Sequence, residues 1–198
     1  DILPSQTEFA ADNLSGGFAL EALGHAIALA GRADAVLLSG DLGRNSETAV
    51  FLERLFKNHG GKTTVTHDAL DYFTSRPEEL LGRPETLLVG SLGQIQKIFS
   101  RASRSCYLGH EQPLLQAVEA LKKFSGDYQT AGFITKHHGQ LLLARQGKVS
   151  SAPGGSERVW RAAAAAWATV YWLQHPSSVF EALTTAIWRG GGGQPEKA

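Results

Sequence analysis

Apolar and polar positions along this chain follow two alternating periods. "ADAVLLSG" (33–40) is a short apolar run closed by glycine, the pattern of a buried strand. In "SETAVFLERLFKNHG" (46–60) the apolar residues Val50, Leu52, Leu55 and Phe56 recur at helical spacing, with Ser46 as the expected N-cap and Gly60 as the stop. The β-branched "KTTVTHDA" (62–69) predicts a second strand. "SRPEELLG" (75–82) predicts one or two helical turns begun by Pro77, and "ETLLVG" (85–90) a third strand. In "SLGQIQKIFSRA" (91–102) Leu92, Ile95, Ile98 and Phe99 share one helical face. A loop (103–112) leads to the amphipathic "PLLQAVEALKKFSG" (113–126). Two strands then meet at a tight turn near His138 and Gly139, with a second turn at Gln146 and Gly147. Helices are expected at about 17–30, 156–174 and 178–188.

Strands alternating with helices from 33 to 102 predict a largely parallel sheet with helices on both faces. Ligands in such sheets sit at the carboxyl ends of the strands. That directs attention to "SGDLGR" (39–44), "THDALD" (66–71), "VGSLGQ" (89–94), "TKHHG" (135–139) and the loop "SAPGGSERVW" (151–160).

The 198 residues suit a single domain over 1–189, with a low-complexity Gly-rich tail at 190–198 that reads as disordered or a linker. Lys plus Arg equals Asp plus Glu, 19 each, so no basic excess favours nucleic acid or a membrane surface. One cysteine, Cys106, excludes an internal disulfide and a Cys-rich zinc site. The opening "DILPSQTEF" has no signal-peptide pattern, and the longest apolar run, Ala162 to Leu173, is shorter than the roughly 20 residues a bilayer requires. A cytoplasmic protein is expected.

The order of these segments resembles the ADP- or ATP-dependent NAD(P)H-hydrate dehydratases, a branch of the ribokinase-like superfamily. Their "ADAVVIGPGLGR" is matched by "ADAVLLSGDLGR" (33–44), and "DADALN" by "THDALD". "VGSLGQ" stands where they have "TPHPGE", and "GFITKHHGQ" (132–140) matches "VVLKGHHT". "SAPGGSERVWRAAAAAWA" (151–168) matches "ATGGSGDVLAGIIAGLLA". The agreement is one of order and approximate spacing over about 30–188, and no single motif is intact. The resemblance implies a ribokinase-like three-layer αβα sandwich with a mostly parallel central sheet. Only about thirty residues precede Ala33, so the N-terminal strand–helix units of that family are expected to be missing.

The resemblance also assigns roles. The last loop would present backbone N–H groups to nucleotide phosphates through Gly154, Gly155 and Ser156. Glu157 takes the place of a close-approach glycine and Arg158 that of the acid/base Asp; a guanidinium cannot accept a proton near neutral pH. A plainer reading makes Ser156 an N-cap with Glu157 favourable to the helix dipole. Lys136 matches a family lysine and would meet a phosphate as a point charge, or else be solvated at a strand end. Asp68 matches the second Asp of "DADALN" beside the substrate pocket, or else caps the short helix that follows; Thr66 replaces the first Asp. Ser91 and Gln94 replace the family's His and Glu as substrate-side residues and can hydrogen-bond without carboxylate chemistry. Asp41 replaces a glycine. His137 and His138, adjacent on a strand, are expected to face opposite ways and to hold no shared metal. Cys106 and His110 show no catalytic pattern, and Trp160, Trp167 and Tyr171 read as core or a subunit interface.

The function this implies is a divergent relative, impaired in the standard catalysis and retaining ADP or ATP binding, with Mg2+ as a possible companion and no tightly bound metal. Two alternatives stay open. One is a working hydrate dehydratase or small-molecule kinase that uses Asp68 or Asp41. The other is a structural subunit that binds no nucleotide and pairs with a homologue. Expected partners are a nucleotide or small metabolite and a second copy or homologue.

Overall fold

The computed structural model describes residues 10–40, 42–43, 45–103, 106–155 and 159–190. They cluster into two compact units, Asp1–Ala33 with Asp41–Gly60, and Asp34–Gly40 with Gly61–Ala198.

The first unit holds helices α1 (Leu23–Ala30) and α2 (Ser46–Asn58). The helical segment expected from Gly17 instead begins with a 3-10 turn at Leu20–Ala22. Gly17 is held in a tight turn, where a Cβ would meet Thr48 Oγ1 at 2.3 Å and the Leu42 carbonyl at 2.6 Å. Asn13 builds that turn, its Oδ1 accepting from the backbone N–H groups of Ser15 and Gly17, each at 3.1 Å. The cap of α2 is Asn45 rather than Ser46: its Oδ1 accepts from the Thr48 N–H at 2.7 Å, as an N-cap side chain should. Phe18 stacks on Phe51 with ring centroids 4.7 Å apart.

The second unit is built on six strands, β1 (Ala35–Leu38), β2 (Lys62–Thr66), β3 (Thr86–Val89), β4 (Ala131–His137), β5 (Gln140–Arg145) and β6 (Lys148–Pro153). They lie in chain order, β1-β2-β3-β4-β5-β6. The first four are parallel and the last two antiparallel. The turn expected near His138 and Gly139 joins β4 to β5, and the one at Gln146 and Gly147 joins β5 to β6. Both central residues of each are left-handed, with φ of 45° and 77° in the first and 50° and 72° in the second. Two-residue turns of this kind match the twist of the strands they connect, and Gly takes the second position without a Cβ clash.

Helices α3 (His67–Phe73), α4 (Glu78–Leu81), α5 (Leu92–Ala102), α6 (Leu114–Asp127), α7 (Trp160–Gln174) and α8 (Val179–Gly190) complete this unit. Alternation along β4 separates the two faces of the sheet. Phe133 meets the rings of Phe99 on α5 and Phe124 on α6, at centroid distances of 5.8 and 5.4 Å. Ile134, the next residue, joins Leu87, Val89, Leu141 and Leu143 in a core closed by Ala165, Ala168, Trp172 and Leu183 of α7 and α8. The alanines of α7 permit close approach: a Cβ on Gly190 would lie 2.9 Å from the Ala164 Cα. Thr169 of α7 donates to Thr64 of β2 at 2.7 Å inside this interface. A sandwich of helices, a mostly parallel sheet and helices follows, as the sequence predicts. Among the described residues no helix is long and apolar enough to cross a membrane.

Candidate functional site

Polar groups converge at the carboxyl ends of the parallel strands. Beyond β2 the chain turns through His67, a non-glycine residue at φ 53°, and enters α3. A left-handed imidazole residue is uncommon, and here it re-aims the ring: Nδ1 lies 3.3 Å from Ser39 Oγ, beyond β1, and 3.3 Å from Thr66 Oγ1. Burial pushes the His67 pKa below its ordinary value of 6.5, Arg161 lowers it further, and Asp68 partly offsets both. Asp68 does not cap α3. Thr66 holds the cap position, and Asp68 lies in the first turn, where a carboxylate suits the positive end of the helix.

Beyond β3 the segment "SLGQ" forms a capping box at the start of α5. Ser91 Oγ accepts from the Gln94 N–H at 3.3 Å, and Gln94 Oε1 accepts from the Ser91 N–H at 3.0 Å. Gln94 is buried, and its amide does more than cap. Its Nε2 donates to the His67 carbonyl and to Asp71 Oδ1, both at 3.0 Å. Its Oε1 also accepts from Arg161 Nη1 at 3.2 Å. One side chain thereby ties the ends of β2 and β3 to the first turn of α7.

Lys136 lies near the end of β4, and its ammonium donates to the Gly155 carbonyl. The Gly154 N–H donates to the Gly139 carbonyl at 2.7 Å. A Cβ on Gly154 would come within 2.9 Å of both that carbonyl oxygen and Lys136 Cε, so the glycine allows the loop to lie against the lysine stem. The loop leads into α7, which begins at Trp160 with Val159 at the cap position and no side-chain cap bond, later than the start near 156 that the sequence predicts. Ser156, Glu157, Arg158 and Asp41 lie outside the described residues.

His137 and His138 depart from expectation. Their Nε2 atoms both point to the Gln112 carbonyl, at 2.7 and 3.1 Å, and their rings are 4.1 Å apart. The strand ends at His137, and the positive φ of His138 swings its ring back to the same side. Among the described residues no group of three or more His, Cys, Asp or Glu is placed to hold a metal ion. Cys106 is buried. Trp160 and Tyr171 pack against the core, whereas Trp167 is 41% exposed.

Of the residues singled out from sequence, Ser91 and Gln94 share one network, Lys136, Gly154 and Gly155 form one loop contact, and Asp68 acts on His67. Sequence reasoning did not single out His67, Asp71 and Arg161. The S-x-x-Q spacing of "SLGQ" signals the capping box, and Arg161 is the one charged residue in "WRAAAAAW".

No protein-family model matches the sequence, and no curated protein matches it. Solved structures do. A hypothetical protein of Streptococcus mutans superposes with a TM-score of 0.66 at 13% identity, over 86% of this chain and 60% of its own. A ribokinase-like superfamily protein of Enterococcus faecalis gives 0.65 at 14%, over 87% and 58%. Anopheles gambiae adenosine kinase, solved with a bis-adenosine tetraphosphate, gives 0.54 at 14%, over 82% and 51%. The chain spans between half and three-fifths of the length of these proteins. Together with six strands in this order, four of them parallel, and helices on both faces, these likenesses give the chain the ribokinase-like fold.

Proposed function

We propose that this chain is a ribokinase-like domain that binds the phosphates of an adenine nucleotide, ADP or ATP, and is impaired in the acid/base chemistry of hydrate dehydratases. The observation that carries the reading is the contact of Lys136 with Gly155 and of Gly154 with Gly139 beyond β4, together with Arg161, in the first turn of α7, bonded to Gln94 beyond β3. An ammonium has three donors. With one on Gly155, two remain for phosphate oxygens. Arg161 adds positive charge in the first turn of α7, where the helix dipole already favours an anion. The impairment rests on Arg158 standing where the resembled family has its Asp. The adenosine kinase neighbour was solved with an adenine nucleotide and supports the ligand class by fold likeness.

A thermal-shift titration of the whole chain tests it. ADP or ATP raises the melting temperature with a saturable dose response, and Lys136→Met weakens that response about tenfold, the loss of roughly one charge-assisted contact. No shift with either nucleotide at millimolar concentration overturns the reading.

A second reading, a subunit that pairs with a homologue, is favoured by one observation. Trp167, Val170 and Leu173 on α7 and Trp188 on α8 are between 37% and 48% exposed. Light scattering that gives a monomer at every concentration tested removes pairing with a second copy, and an unchanged mass after mixing with a full-length ribokinase-like homologue removes pairing with that homologue.

A further inference from the structure

The turn between β4 and β5 carries two imidazoles aimed at one point. His137 Nε2 lies 2.7 Å from the Gln112 carbonyl oxygen, and His138 Nε2 lies 3.1 Å from the same atom. The ring centroids are 4.1 Å apart, with their planes inclined at 56°. Adjacent residues of a regular strand could not do this, because their side chains leave opposite faces. The left-handed backbone of His138, at φ 45°, brings the second ring round. The alternation that argues against a shared metal ends at His137.

A carbonyl only accepts, so both rings hold a proton on Nε2 in this arrangement. A neutral imidazole can carry its proton on Nδ1 instead. That exchange of tautomer turns two donors aimed at one oxygen into two lone pairs aimed at one cation. His137 is buried, so packing holds its ring in place, whereas His138 is exposed and leaves the point open to solvent. The Gln112 carbonyl belongs to the bend at 110–112 ahead of α6, where His110 and Glu111 are exposed. A small outward movement of this bend admits an ion and keeps the carbonyl as a third ligand. Water completes the shell, since among the described residues no group of three or more His, Cys, Asp or Glu is placed to hold a metal. Imidazole nitrogens suit zinc, nickel and copper, whereas magnesium and calcium take oxygen ligands.

We propose that His137 and His138, with the Gln112 carbonyl, form an exchangeable site for a divalent ion of the zinc, nickel and copper class. Bound there, the ion ties the bend ahead of α6 to the β4–β5 turn. The neighbouring Lys136 leaves the strand on the other face and reaches Gly155, so the site is independent of what binds at that loop.

Isothermal titration of the whole chain with Ni2+, in the absence of nucleotide, tests this. The wild type takes up Ni2+. His138→Asn preserves the fold, because Asn-Gly is a favoured sequence for a two-residue turn with both φ values positive. It weakens Ni2+ uptake at least about tenfold, since losing a ligand costs no less than losing an outer-shell partner. His175→Gln, at an exposed histidine on the far side of α7, retains the wild-type affinity. Electron paramagnetic resonance of the Cu2+-loaded wild type shows coupling to two imidazole nitrogens, and that of His138→Asn to one. No uptake of Ni2+ by the wild type, an affinity unchanged in His138→Asn, or coupling to a single imidazole in the wild type overturns the proposal.

Discussion

Gln94 Oε1 accepts a hydrogen bond from Arg161 Nη1 across 67 residues of chain, and the same amide donates to Asp71 and to the His67 carbonyl. Its side-chain amide makes five hydrogen bonds, those from the Ser91 N–H and hydroxyl included, and is fully satisfied in a nearly dry setting. Gln94→Leu strips partners from Asp71, Arg161 and two backbone groups at once. Each buried orphan costs about 1–3 kcal/mol, and partial exposure of the partners keeps the total near ~3 kcal/mol. Urea denaturation should report that loss with an unchanged m-value.

Gly154→Ala tests the loop packing. Its Cβ would meet the Gly139 carbonyl oxygen, which belongs to a tight turn and cannot easily retreat. A loss of about 1–3 kcal/mol is expected. Gly93→Ala is the control: nothing lies within 4 Å of its Cβ, and the substitution should stabilise by up to about 1 kcal/mol. Equal effects at the two glycines would contradict the close approach at Gly154.

The depressed pKa of His67 sets a pH dependence. Folding favours the neutral imidazole, so its contribution to stability is complete above the ordinary value of 6.5. It is lost as pH falls from there through the lower folded value. Stability measured from pH 7.5 to 5 should fall less steeply in His67→Gln than in wild type. The chain has seven histidines, so the difference between the two profiles is the quantity that bears on His67.

Thr64 and Thr169 form a buried hydroxyl pair between β2 and α7. Thr169→Val alone leaves the Thr64 hydroxyl without its donor and should cost about 1–2 kcal/mol. The double substitution to valine removes both polar groups and should recover part of that loss. A double-mutant cycle with no coupling would show that the two hydroxyls act independently.

The sequence shows the strands and helices because their signals are local. The apolar runs of β1 and β3, the β-branched β2 and the glycines at 139 and 147 each depend on a few neighbours. The cap positions differ from the expected ones by one residue at α2, Asn45 instead of Ser46, and by two at α3, Thr66 instead of Asp68, because several polar residues cluster at each helix start and only the backbone entry angle chooses between them. The convergence of His137 and His138 was hidden because a positive φ at a non-glycine residue breaks the strand alternation on which the expectation rested. Least legible was the polar network. Gln94 bonds to groups 23, 27 and 67 residues away, and no local pattern records such pairings.

The strand order has a kinetic consequence. Each strand lies beside its sequence neighbour, so the pairings differ only in the length of chain that separates the partners. The β4–β5–β6 meander needs only two-residue turns, and hairpins of that kind close in roughly 1–10 μs, whereas the parallel pairs must first close loops containing whole helices. The antiparallel half of the sheet should therefore nucleate first and offer the edge of β4 as a template for β3, β2 and β1 in turn. In φ-value analysis, truncations at Leu141 and Leu143 should slow folding, and truncations at Val36 should mainly speed unfolding.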